Sequence, residues 1–129
     1  MMVVGLDHVQ LALPPGGEPE ARAFYGGLLG LAELPKPEPL AARGGLWFAC
    51  GALQVHLGVE PDFRPAKKAH PAFRVRDLAA LTAALRAEGF EATRDEAMAG
   101  VHRAFTSDPF GNRIELIQTV DGPQGAHGC

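Results

Sequence analysis

Cysteine is nearly missing from this chain: Cys50 and Cys129 are the only two in 129 residues. So few thiols exclude a small secreted domain stapled by disulfides, and a reducing cytoplasm is the expected setting. Charge of one sign is equally scarce as a block. The net charge is −3, and the basic residues are scattered singly, with Lys67-Lys68 the densest pair. Such a distribution leaves no electrostatic footprint for nucleic acid. Long apolar runs are absent as well. Each is broken by a charge, a glycine or a proline well before the ~18 residues a membrane span requires. The N-terminal residues show no basic segment followed by an apolar core, so no secretory signal is expected. A small molecule is the expected partner, with no nucleic acid and no membrane.

Hydrophobic residues make up 47% of the chain, the composition of a folded globular protein. Residues 3 to 13 alternate apolar with small or polar side chains, the period of a strand, and Pro14-Pro15-Gly16-Gly17 ends it. Residues 18 to 29 then place Ala21, Phe24, Leu28 and Leu29 at helical spacing, with Glu18 and Glu20 near the positive N-terminal end and Gly30 as the stop. A connector from Pro35 to Pro39 leads to a hairpin, 46–49 and 53–58, turning at Cys50-Gly51. The same order then recurs. Residues 69–75 read as a strand, Asp77 caps a helix over 78–88, and Gly89 closes it. A second hairpin, 102–107 and 112–118, turns through Asp108-Pro109-Phe110-Gly111. The expected class is therefore α+β, one domain over 1–129 made of modules 1–60 and 69–119, followed by a flexible tail, 120–129.

Duplication is supported by register. His8 opens the first half and His70 the second, 62 residues apart; His56 and Glu115 stand late in each half, 59 apart. Alternate residues of a strand share a face. His8 and Gln10 therefore oppose Val9 and Leu11, Gln54 and His56 oppose Val55 and Leu57, and Arg113 and Glu115 oppose Ile114 and Leu116. Each of these strands has one apolar face and one bearing His or Glu. If the polar faces share a concave surface, imidazoles and a carboxylate converge there, a donor set that suits a divalent cation.

The segments LDHVQLAL, EARAFYGGLLGL, LQVHLGVE, AHPAFRV and DPFGNRIELI resemble the vicinal oxygen chelate superfamily. That superfamily includes glyoxalase I, extradiol dioxygenases, fosfomycin-resistance enzymes and bleomycin-binding proteins, and the likeness runs from about Gly5 to Gln118. It implies two βαβββ modules whose curved mixed sheet forms an incomplete barrel, a cup with the helices outside, usually in a homodimer. It further implies His8, His56, His70 and Glu115 as ligands of a divalent metal such as Zn, Ni, Mn or Fe. Glu115 is the expected catalytic group. At the position of His56, glyoxalase I usually has a carboxylate, so His56 is a fourth ligand, an outer hydrogen-bonding group or a substrate contact.

Trp47 and Phe48 face oppositely, so one lines the cup and the other joins the core. Arg103 and Phe105 share a face that, by the family's pattern, looks into the cup; Arg103 there either binds an anionic substrate or ends a strand in solvent. Trp47, Arg103 and Phe105 are the candidate substrate contacts. Arg113 either pairs with Glu115 or reaches the rim, while His102 and His127 fall outside the site. Two functions follow from the resemblance: a metal-dependent lyase, isomerase, dioxygenase or thiol transferase acting on a small oxygen-rich substrate, or a metal-free drug- or metabolite-binding protein.

Overall fold

The computed structural model describes residues 2–119; the expected tail and His127 lie outside them. Contacts divide the chain into two compact units, one ending at Phe63 and the other beginning at Arg64.

In the first unit the elements are β1 (His8–Leu13), α1 (Glu18–Ala21), β2 (Ala32–Leu34), α2 (Glu38–Ala41), β3 (Leu46–Cys50) and β4 (Leu53–Val59). The sheet order is β1-β4-β3-β2, with β1 parallel to β4 and the other pairs antiparallel. The first strand is shorter than its alternation suggested: Val3, Val4 and Leu6 stay exposed and unpaired with the sheet. Helix α1 does not continue as an α-helix. From Arg22 to Leu28 it widens into a π-helix, in which the Leu29 amide donates to the carbonyl of Phe24 five residues back. The Gly26-Gly27 pair gives this stretch little helical preference of its own. Packing decides its shape, because Phe24 and Tyr25 are both fully buried and meet edge to face at 5.0 Å. They join Leu11, Leu13, Phe48, Val55 and Leu57 in the core. Gly45 enters β3 at φ +85°, where a Cβ would stand 2.2 Å from the Leu57 carbonyl oxygen. Only glycine fits that approach.

The second unit repeats the plan with β5 (Ala72–Arg74), α3 (Leu78–Ala87), β6 (Ala92–Asp95), β7 (Val101–Ser107) and β8 (Arg113–Thr119). Its order, β5-β8-β7-β6, and its one parallel pair match the first unit strand for strand. Two βαβββ modules are therefore present, as two four-stranded mixed sheets. Asp77 caps α3 by accepting the Ala80 amide at 3.0 Å, and Gly89 follows the helix at φ +89°, in the left-handed region. Leu78 and Leu85 bury their side chains, and α3 packs on β6, β7 and β8, whose core residues include Ala104, Ile114 and Leu116.

The turn between β7 and β8 is held by a buried carboxylate. Asp108 Oδ1 accepts the amides of Phe110 and Asn112, both at 2.9 Å, and Oδ2 accepts the Asn112 side-chain amide at 2.9 Å. Asn112 Oδ1 in turn accepts the Ala66 amide at 3.0 Å. This turn thereby ties the segment carrying Lys67 to the start of β8.

Candidate functional site: two diagonal pairs

The modules agree in register at the residues of interest. In the parallel ladders Gln10 pairs with His56, and Ala72 pairs with Glu115. His8 stands two residues before Gln10, and His70 two before Ala72. Each histidine is thus the diagonal neighbour of its partner, within reach of a long side chain. His70 itself lies just outside β5, on the lead-in, where the Pro71 carbonyl accepts the Glu115 amide at 3.0 Å.

In the second module the diagonal pair makes direct contact. His70 Nε2 lies 2.9 Å from Glu115 Oε1, and His70 Nδ1 donates to the Lys68 carbonyl at 2.8 Å. A carbonyl only accepts, so Nδ1 carries a proton. In a neutral ring the Nε2 lone pair then faces a carboxylate oxygen, and two acceptors at that distance need a proton or a cation between them. A proton on Nε2 would make the contact an ion pair, and a cation there would be held by Nε2 and Oε1 together. Glu115 is also buried, with its side chain 10% exposed, and its Oε2 accepts from Arg103 Nη1 at 3.4 Å. Arg103 Nη2 donates to Asp95 Oδ2 at 3.1 Å, so the guanidinium bridges two carboxylates; its Nε is buried without a hydrogen-bond partner among the described residues. Phe105 meets the His70 ring edge to face at 5.6 Å, and the Arg113 guanidinium lies 4.1 Å over the Phe105 ring.

The first module uses the same positions differently. His8 and His56 stack with ring centroids 4.1 Å apart and planes 17° from parallel. Trp47 stacks on His56 at 4.2 Å, its plane 6° from parallel, while Phe48 is fully buried in the core. Of the two aromatics, Trp47 is therefore the one on the face with His8 and His56. His56 Nε2 donates to Gln54 Oε1 at 2.8 Å, and His8 Nδ1 donates to Asp7 Oδ1 at 2.9 Å. An imidazole lone pair lies in the ring plane, so two rings stacked this closely do not bind one ion together. Burial lowers the His56 pKa below its ordinary 6.5, and the neighbouring His8 adds to the effect. Among the described residues, neither module by itself gathers three His, Cys, Asp or Glu side chains into a metal-holding group. His102, expected outside the site, lies in β7 and pairs with Glu96 at 3.0 Å.

Sequence patterns marked His8, His56, His70 and Glu115 but not Asp95, whose strand they did not show. They left Arg113 between two fates; the structure sets it over Phe105.

The family model for the glyoxalase/bleomycin resistance protein/dioxygenase superfamily matches residues 5–116. The chain belongs to that superfamily. A protein from Bacillus anthracis assigned to the glyoxalase family is 50% identical, with a TM-score of 0.87 over 92% of this chain and 98% of that one. Two more distant structures share the fold. The genomically encoded fosfomycin resistance protein FosX from Listeria monocytogenes is 17% identical, with a TM-score of 0.74 over 95% of this chain and 97% of its own. Lactoylglutathione lyase from Agrobacterium tumefaciens is 19% identical, with a TM-score of 0.64 over 85% and 91%. No curated protein matches the sequence. Among the described residues no helix is long and apolar enough to cross a membrane.

Proposed function

We propose that this superfamily member is a divalent-metal-dependent enzyme acting on a small oxygen-rich substrate, with the cation held at His70 and Glu115. The observation that carries the reading is the 2.9 Å approach of His70 Nε2 to Glu115 Oε1, with Nδ1 already committed to Lys68. A bound cation would supply polarisation of a substrate oxygen or a more acidic water. The chain's own residues supply the rest. The Lys68 carbonyl fixes the tautomer and orientation of His70, a role that outer-shell acceptors commonly play. Arg103 pins Glu115 Oε2, which leaves Oε1 facing His70. Phe105 forms a wall beside His70, and Trp47 offers its indole on the polar face of the first module. Lyase, isomerase, dioxygenase and thiol-transfer chemistry all fit such a site.

Elemental analysis of protein purified without chelator or affinity tag tests the proposal. The expected result is close to one divalent metal per chain. Less than a tenth of that, with no uptake from added Zn, Ni, Mn or Fe salts, would overturn it. The second reading, a metal-free binding protein, is favoured by one observation: the Trp47–His56–His8 stack is a continuous aromatic surface whose two imidazoles do not share an ion. We also propose a homodimer, because each four-stranded sheet ends in two edge strands and such edges are commonly covered by a partner.

A further inference from the structure

The second module contains a cleft of about 320 Å³ over the polar face of its sheet. Lys67, Glu91, Thr93, Phe105, Ser107 and Arg113 contribute to its lining. Their arrangement follows from register. Ser107 pairs with Arg113 across β7 and β8, and Thr93, Phe105 and Glu115 form the adjacent row. Two features single the cleft out. First, it brings together two cationic side chains, Lys67 and Arg113, neither of which has an acidic partner within ion-pair distance among the described residues. Second, Arg113 is only partly exposed and lies 4.1 Å over the Phe105 ring, which holds its planar fork in place. With two cationic side chains against one carboxylate, Glu91, the cleft carries a single excess positive charge. The hydroxyls of Thr93 and Ser107 add polar partners, and Phe105 adds an apolar wall.

We infer that this cleft binds the carboxylate end of an organic monoanion, with Arg113 and Lys67 on the carboxylate and Phe105 against the attached carbon skeleton. Phe105 lines the cleft, meets the His70 ring edge to face and is the ladder partner of Glu115. A ligand anchored at Arg113 and lying along Phe105 therefore directs its other end toward the His70–Glu115 pair. In this respect the inference deepens the proposed function and names the substrate class as small carboxylic acids. The affinity of the cleft itself does not depend on a metal, so the two readings fail separately.

The test is a titration of metal-free, chelator-free protein with benzoate, followed by nuclear magnetic resonance, with benzamide as the neutral isostere and inorganic phosphate as the competing anion. Benzoate is expected to shift the signals of Phe105, Ser107 and Arg113 and to bind at least about tenfold more tightly than benzamide, the scale of one charge-assisted hydrogen bond. Arg113→Gln is expected to weaken benzoate by about tenfold, and Lys67→Gln, which lies outside the sheet, by a smaller factor. Arg113→Lys keeps the charge without the fork and should fall between wild type and Arg113→Gln. Equal binding of benzoate and benzamide, or shifts confined to other residues, would overturn the inference. So would unchanged benzoate affinity in both glutamine variants. Phosphate binding more tightly than benzoate would replace the carboxylate assignment. Because the protein contains no metal in this experiment, a positive result stands even if elemental analysis rejects the metal reading.

Discussion

Arg103 places one amine on Glu115 Oε2 and the other on Asp95 Oδ2, so a single guanidinium sets the orientation of the carboxylate that faces His70. The three residues lie on one face of β6, β7 and β8, where Asp95 pairs with Arg103 in register. Replacing Arg103 with Gln leaves two carboxylates without their shared counter-charge. If Glu115 holds a cation, Arg103→Gln should weaken metal binding by roughly 10–100-fold, the range for losing an outer-shell partner. Competition against a fluorescent zinc chelator measures this directly, and an unchanged affinity would release Arg103 from that role.

Glu115→Gln tests the donor itself. The substitution keeps the shape but exchanges a charged oxygen for an amide nitrogen that cannot coordinate. Metal affinity is expected to fall by an order of magnitude or more. His56→Ala should cost less, because His56 is stacked between Trp47 and His8 and its Nε2–H is donated to Gln54. Calorimetric titration of both variants, with the fold checked by circular dichroism, ranks them; a larger loss for His56→Ala would reverse the assignment.

A pH dependence follows from the same stack. The folded-state pKa of His56 is lowered, first by burial and then by His8. Below the unfolded value of 6.5 the unfolded chain takes up a proton that the folded chain resists. Stability from this residue is therefore full above about pH 6.5 and falls as the pH drops toward the folded pKa. Urea unfolding between pH 7.5 and 5 should show that decline in the wild type and a shallower one in His56→Phe. Parallel slopes would show that His56 does not contribute.

How much of this was legible beforehand depended on strand length and facing. The alternation of apolar and polar residue types in β1, β4 and β8 was plain, with Leu11 and Leu13 or Ile114 and Leu116 turned into the core, although His56 and Glu115 are buried as well. Asp77 and Gly89 bracketed α3 by ordinary capping chemistry. The short strands β2 and β6 gave no such pattern: in Ala92–Asp95 only Ala92 is buried, and in Ala32–Leu34 no residue is. Missing β6 meant missing Asp95, and with it the reason Arg103 turns toward Glu115. The π-helical widening after Ala21 was also hidden, because Ala21, Phe24 and Leu28 fit α-helical spacing and the departure arises from burying Phe24 and Tyr25 together. His70 was read inside a strand over 69–75, yet it precedes β5, and the Lys68 carbonyl rather than the pleat orients its ring.

Asp108 gives a stability prediction independent of function. Its carboxylate accepts the Phe110 and Asn112 amides and the Asn112 side-chain amide inside a turn where it is 3% exposed. Asp108→Ala leaves those donors unpaired and should destabilise the protein by roughly 2–4 kcal/mol. Asn112→Ala should cost less, since it removes one side-chain pair and the bond to Ala66. Chemical denaturation of both variants checks the order.

The assembly prediction concerns the edge strands. Sedimentation equilibrium at tens of micromolar should give a mass about twice the 13.6 kDa of one chain. A single monomeric species across that range would remove the homodimer.

The shared register has a consequence for how such a chain can change. In both modules the backbone delivers a histidine to the same diagonal of the same parallel ladder, whatever the side chain opposite. Opposite His8 that neighbour is an imidazole and the result is a stack of rings; opposite His70 it is a carboxylate and the result is a directly bonded pair. A single substitution at the fourth strand of either module therefore changes what its histidine meets, imidazole or carboxylate.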